Sequence, residues 1–99
     1  METSGKVVVD DRALIGWYQM PAPLQAKALE ALGSMAGQSP ESWPADEVER
    51  WWPDRNLFAY HFMVGPDELL IFFYPEGRRI HIESMMLKET TDRYSTRKA

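Results

Sequence analysis

Cysteine is absent from this 99-residue chain, and histidine occurs only twice. Without cysteine the protein has no disulfide framework, no thiolate nucleophile and no cysteine-ligated zinc site. The two histidines have no Asp or Glu at supporting spacings, so the sequence predicts no metal site. The six glycines form no phosphate-cradling loop. We therefore expect no cofactor.

Long apolar runs are also missing. No segment approaches the ~18 consecutive apolar residues that a membrane-spanning helix needs. The N-terminal sequence METSGKVVVDD lacks the apolar core of a signal peptide. The length suits one domain over residues 1–99. We expect a single cytoplasmic domain with no membrane contact.

Basic residues are outnumbered, and the net charge is −4. Residues 1–50 carry four Lys or Arg against eight Asp or Glu, whereas residues 51–99 carry seven of each. Nucleic-acid affinity comes largely from neutralising phosphates, so a net-acidic chain is poorly suited to bulk binding of RNA or DNA. Any such contact is expected at the C-terminal edge, where most of the positive charge lies.

The first half of the chain predicts a strand followed by two helices. The β-branched run KVVVD (6–10) is typical of a strand. Leu14, Trp17 and Tyr18 have the spacing of one helical face. The stretch PAP (21–23) separates this helix from a second, whose apolar stripe is Leu24, Ala28, Ala31, Leu32 and Met35. Gly37 is the expected C-terminal cap of the second helix.

The segment from residue 38 to residue 56 has the least regular pattern. A short helix is expected to start at Ser42, before Pro44, and to run through Val48 and Trp52. Pro53 would stop it. The acidity and the three tryptophans favour a covering segment pinned to the core.

From residue 57 onwards the pattern predicts three strands joined by tight turns. The strands are LFAYHFMV, LLIFFY and RIHIES, and the turns are GPDE and PEGR. The middle strand is apolar on both faces, so we expect it to be central. The predicted fold class is α+β, with an N-terminal strand and a helical hairpin packed on a curled, antiparallel-rich sheet, followed by a polar C-terminal tail. The other sheet face is expected to be concave and available to a partner.

The stretch NLFAYHFMVGPDELLIFFYPEGRRIHIESMMLKETTDRYS (56–95), in this element order, resembles the RelE/ParE superfamily of bacterial toxin–antitoxin toxins. The strands beginning at residues 57, 69 and 80 and the closing Tyr94 follow the ending typical of that family. RelE-like members cut messenger RNA in the ribosomal A site, using basic groups and a C-terminal Tyr or His without a metal. ParE-like members keep the fold and poison DNA gyrase. Both are held inactive by an antitoxin.

The resemblance implies the toxin component of a type II toxin–antitoxin pair, with a cognate antitoxin as partner and ribosome-dependent messenger-RNA cleavage as one activity. Metal-independent RNA cleavage requires a base, an acid and cations near the scissile phosphate. The candidate catalytic residues are Tyr94, Arg93 and His81. Arg78, Arg79 and Lys88 are the candidate RNA contacts. A solvated, frayed terminal helix is the structural alternative for residues 88–94.

Both histidines also have structural interpretations. His81 alternates with Ile80 and Ile82, so it shares a strand face with Glu83 as a titratable or simply exposed polar pair. His61 is expected to be a core or boundary histidine.

The aromatic and methionine residues favour a protein partner. The stretch ERWWPDR combines tryptophan with arginine, as base-stacking sites do, but its acidic neighbours repel phosphate. Trp51 and Trp52 are expected either to pack over the sheet edge or to anchor a partner. Met85 is a candidate for lining a groove that receives an antitoxin helix.

A non-catalytic interaction module with the same fold is the alternative function. Where the family has an arginine after the first turn of the meander, this chain has Asp67, Glu68 and Leu69. The acidic N-terminal half points the same way. A gyrase inhibitor of the ParE type remains a further alternative.

Overall fold

A computed structural model describes residues 5–64 and 66–87. Two helices, α1 (Leu14–Gln19) and α2 (Ala22–Met35), follow a short first strand, β1 (Val7–Val9). Four further strands complete the sheet: β2 (Val48–Trp52), β3 (Leu57–Val64), β4 (Asp67–Glu76) and β5 (Arg79–Leu87). Short 3-10 helices occur at Asp11–Ala13, Pro40–Ser42 and Pro53–Arg55. The predicted α+β class is confirmed.

The five strands form one mixed sheet in the order β1-β5-β4-β3-β2. β1 runs parallel to β5, and the other neighbours are antiparallel. β4 is central, as its run of buried apolar residues predicts. The β4–β5 turn needs only two residues, because Glu76 pairs with Arg79 and Gly77 takes a φ of +62° that glycine adopts without strain.

The helices cover one face of the sheet. The predicted stripe of α2 is confirmed, with Ala28, Leu32 and Met35 buried. Trp17 of α1 is buried against the same core, but Tyr18 is 64% exposed, so the expectation that Tyr18 shares the buried face is wrong. A 3.6-residue period places positions 17 and 18 about 100° apart, and only one of them faces the sheet.

The opposite sheet face carries a second core. Trp51, Leu57, Ala59, Leu70 and Phe72 are buried there, and the rings of Trp51 and Phe72 meet edge-on with centroids 5.1 Å apart. Apolar burial therefore occurs on both faces of the sheet. This face is not the wholly partner-accessible surface that the element order predicted.

The predicted helix from Ser42 through Val48 to Trp52 is wrong. Residues 48–52 form β2, in which Val48 pairs with Tyr60 and Arg50 with Phe58. The hydrogen bonds from the Glu47 and Val48 amides to the Pro44 carbonyl make a single turn before the strand. Val48, Trp51 and Trp52 are β-branched or aromatic, and pairing with β3 decides in favour of the strand.

The predicted association of this segment with the core is observed. Trp43 is buried, and its indole N–H donates to the Met35 carbonyl at 3.1 Å. Its ring meets Phe58 edge-on at 4.9 Å between centroids. None of the helices in the described residues has the length and apolarity needed to span a membrane.

Candidate functional site

A cleft of about 840 Å³ lies where α2 approaches the end of β3. We call it the acidic cleft. Its walls come from α2, from the turn before β2, from β3 and from the start of β4. The lining residues are Lys27, Glu30, Ala31, Ser34, Asp46, Glu47, Tyr60, His61, Phe62, Met63 and Glu68. The lining includes Tyr60 and Phe62, which face the helices, and His61 and Met63, which face the other side, so the cleft straddles the edge of β3.

Tyr60 and Glu47 form a hydrogen-bonded pair in this cleft. The Tyr60 hydroxyl donates to Glu47 Oε2 at 2.8 Å. Burial, assisted by this hydrogen bond and by the carboxylate charge, raises the pKa of Tyr60 to about 12. The phenol is therefore a protonated donor at neutral pH and fixes the Glu47 carboxylate at the cleft wall.

His61 lies between two carboxylates from neighbouring strands. Its Nε2 is 2.9 Å from Glu49 Oε1 on β2, and its Nδ1 contacts Glu68 Oε1 on β4. The cross-strand register explains both contacts. Glu49 is opposite Ala59, which lies two residues before His61 on the same face of β3. His61 is opposite Leu70, which lies two residues after Glu68 on the same face of β4. Ionised carboxylates only accept hydrogen bonds, so each contact is satisfied when the facing ring nitrogen carries a proton. The predicted boundary position of His61 agrees with its partial burial.

Carboxylates dominate the charge of the acidic cleft. Glu30, Asp46, Glu47 and Glu68 line it, and Glu49 contacts His61 beside it. Lys27 is the single Lys or Arg among the lining residues that the structure describes. The clustered negative charges make the electrostatic potential in the cleft strongly negative, so the cleft attracts cations and repels phosphates.

His81, the predicted catalytic histidine, has different carboxylate neighbours from the one expected. Its ring stacks on Tyr74 with centroids 5.0 Å apart. Its Nδ1 is 3.9 Å from Asp10 Oδ1 and its Nε2 is 3.5 Å from Glu76 Oε1. Burial and the charges of Asp10 and Glu76 raise the pKa of Tyr74. Glu83 does not pair with His81 as proposed, because its carboxylate binds Arg55 Nη2 at 2.8 Å.

The described cations near His81 are neutralised by these acids. Arg12 lies 3.7 Å from both Asp10 and Glu83, and Arg55 binds Glu83. Arg78 and Arg79 are exposed, at the β4–β5 turn and the start of β5. Cleavage of RNA needs cations around the phosphate, and the described part of the chain surrounds His81 with carboxylates instead.

The remaining predicted site residues have different positions. Trp51 is buried in the second core, and Trp52 is 42% exposed. Met85 is half-buried against α1, where a Cβ on Gly16 would lie 3.0 Å from Met85 Cε. Lys88, Arg93 and Tyr94 lie outside the described residues. Across residues 5–64 and 66–87 no three His, Asp or Glu side chains converge to hold a metal ion.

Sequence reasoning did not identify four residues of this site: Glu47, Glu49, Tyr60 and Glu68. Each belongs to a different turn or strand from its partner, at separations of 7 to 13 residues. The acidic run before β2 was a signal, but the wrong assignment of residues 48–52 to a helix put Glu49 out of reach of His61.

Comparison with known proteins adds no relative. The sequence matches no protein-family model, and no curated protein or solved structure is significantly similar to it.

Proposed function

We propose that this chain is a protein-binding module that takes a lysine- or arginine-bearing segment of a partner protein into the acidic cleft. The observation that supports this proposal is the cleft itself, which has a volume of about 840 Å³ and is lined by four carboxylates and one lysine. Such a surface selects cations over anions, and a peptide supplies cations together with the apolar atoms that can pack on Tyr60, Phe62 and Met63.

The proposal is tested with a pair of charge reversals. Glu30→Lys changes an exposed α2 residue in the cleft, and Asp54→Lys makes the same charge change at an exposed site that does not line it. The probe is a fluorescein-labelled peptide, Thr-Val-Arg-Val-Arg-Val-Thr, followed by fluorescence anisotropy at two salt concentrations. We expect Glu30→Lys to weaken binding at least ten-fold and Asp54→Lys to change it by less than two-fold. Equal effects of the two reversals would contradict the proposal.

A toxin of the RelE/ParE type is the second candidate function. The observation in its favour is the architecture: an N-terminal strand beside the last strand, two helices on one face, and an antiparallel meander. In this function Arg93 and Tyr94 act at the scissile phosphate, supported by Arg78, Arg79, His81 and Lys88, and a cognate antitoxin controls the protein.

Controlled expression in a bacterium distinguishes the two candidates. The toxin hypothesis expects growth arrest with new messenger-RNA ends phased to the ribosomal A site. It also expects that Arg93→Ala with Tyr94→Phe abolishes the arrest while the fold is retained. Arrest without new ends indicates a gyrase-type target. Normal growth together with peptide binding favours the module.

A further inference from the structure

β3 continues beyond the strand that pairs with it. β2 begins at Val48, opposite Tyr60, whereas β3 runs to Val64. The His61 amide donates to the Glu47 carbonyl at 2.8 Å, and the pairing of β3 with this segment ends at that hydrogen bond. The turn from Pro44 to Glu47 then takes the chain away from β3, and no described residue continues β2 opposite residues 62–64.

The backbone of Met63 faces this gap. In an antiparallel strand, alternate residues direct their N–H and C=O groups to the same neighbour. Since His61 bonds towards β2, Met63 also directs its N–H and C=O away from β4, into the acidic cleft. Its side chain is 57% exposed. Edge groups of this kind are a template for another strand.

The chemistry around Met63 specifies what would pair there. The strand register places Met63 directly opposite Glu68, so both side chains lie on the same sheet face. A residue paired with Met63 from the other side puts its own side chain on that face too. An arginine at this position lays its stem along the methionine and brings its guanidinium to the carboxylate of Glu68, which contacts His61 through Oε1 and has lone pairs left to accept a further charge-assisted hydrogen bond.

We propose that the partner segment binds as an added antiparallel β-strand on β3, with a basic residue opposite Met63. This inference rests on the proposed function and specifies how the same cleft is used. The occupant is an extended segment with alternating basic residues, which lie on the sheet face of Met63 and Glu68. Its intervening side chains face α2, so Glu30 acts on the basic residues through the electrostatic field of the cleft rather than by contact. The pairing distinguishes it from a helix or a flexible cationic tail held by charge alone.

Two perturbations remove the backbone pairing without changing the charge. In the probe peptide, N-methylation of both arginine amides blocks the N–H that would bond to Met63. In the protein, Met63→Pro removes the edge N–H, which β4 does not use, and Met63→Ala is the matched control that keeps it. Loss of one backbone hydrogen bond between Met63 and the peptide, together with the strand alignment that it imposes, is expected to weaken binding about ten-fold.

The test is fluorescence anisotropy with the intact chain. We expect the N-methylated peptide to lose about ten-fold in affinity, and Met63→Pro to bind about ten-fold more weakly than Met63→Ala, because both variants lose the methionine side chain and only the proline variant also loses the N–H. Circular dichroism checks the fold of Met63→Pro, and if that variant is unfolded the N-methylated peptide decides on the natural chain.

The outcomes separate this inference from the proposed function. Undiminished binding of the N-methylated peptide would overturn strand addition and leave charge-based binding in place. Equal binding of the natural chain to a peptide with glutamate in place of arginine would overturn both.

Discussion

Trp43 packs the segment that carries Asp46 and Glu47 of the acidic cleft against the core. Replacing Trp43 should therefore be among the most destabilising substitutions in the protein. The indole is 6% exposed, packs on Phe58 and Phe73, and bonds to the Met35 carbonyl. Truncation of a buried tryptophan to alanine costs about 3–5 kcal/mol. A domain of this size has a total stability of about 5–15 kcal/mol, so Trp43→Ala should remove a large share of it.

Trp43→Phe separates packing from hydrogen bonding. It keeps an aromatic ring but loses the N–H donor. The Met35 carbonyl also accepts the Gln38 amide at 3.2 Å, so it is not left without a donor. We therefore expect the Phe variant to lose about 1–2 kcal/mol, well below the alanine variant.

Urea unfolding followed by far-ultraviolet circular dichroism measures these differences. With a slope of about 2 kcal/mol per molar urea, a loss of about 4 kcal/mol lowers the midpoint by about 2 M. Trp52→Ala is the matched control, because it removes a tryptophan from the end of β2 that is 42% exposed. Equal midpoint shifts for Trp43→Ala and Trp52→Ala would refute the assignment of Trp43 as the anchor.

Three further predictions follow from other contacts. The Tyr60 phenol should titrate near pH 12. Because its folded-state pKa lies above the unfolded value of 10.0, its contribution to the free energy of unfolding is present below pH 10 and is lost as the pH rises towards 12. Glu47→Gln should lower the Tyr60 midpoint in a tyrosine NMR titration, because it removes the carboxylate charge. Glu83→Gln should cost about 1 kcal/mol or less, and less in high salt, because its partners Arg12 and Arg55 are largely exposed; an unchanged cost in 1 M salt would argue against ion pairing. Phe72→Ala should cost about 3–5 kcal/mol in urea unfolding if the second core is structural, and a loss below about 1 kcal/mol would contradict that role.

The strands of the meander were predictable because their signal is local. Alternating residues such as Ile80, His81 and Ile82 show which side of the sheet each side chain takes, and tight-turn residues such as Gly77 mark the ends. The stripe of α2 has the same local character. These features follow from periodicity, without knowledge of the tertiary contacts.

β2 was missed because its stability comes from elsewhere in the chain. Proline, acidic and aromatic residues around Val48 fit a short helix as well as a strand, and pairing with Tyr60 and Phe58 decides between them. Tyr18 was misplaced for a related reason, since a six-residue helix leaves the width of the buried face undetermined.

The acidic cleft depends on that missed strand. Glu49 reaches His61 only across the β2–β3 pairing, and Glu47 reaches Tyr60 from the turn before β2. A sequence places these side chains on separate elements, and only the sheet register brings them together. The carboxylates around His81 converge in the same way, with Asp10 from the residue after β1 and Glu76 from the end of β4.

Mapping the bound peptide on the protein tests the central claim most directly. In a ¹⁵N-labelled sample titrated with unlabelled Thr-Val-Arg-Val-Arg-Val-Thr, we expect the amide signals of Lys27, Glu47, His61 and Met63 to shift together, with hydrogen exchange at Met63 slowed. The glutamate-substituted peptide should shift none of them. Shifts confined to Arg78 and Arg79, or a larger response to the acidic peptide, would contradict the account.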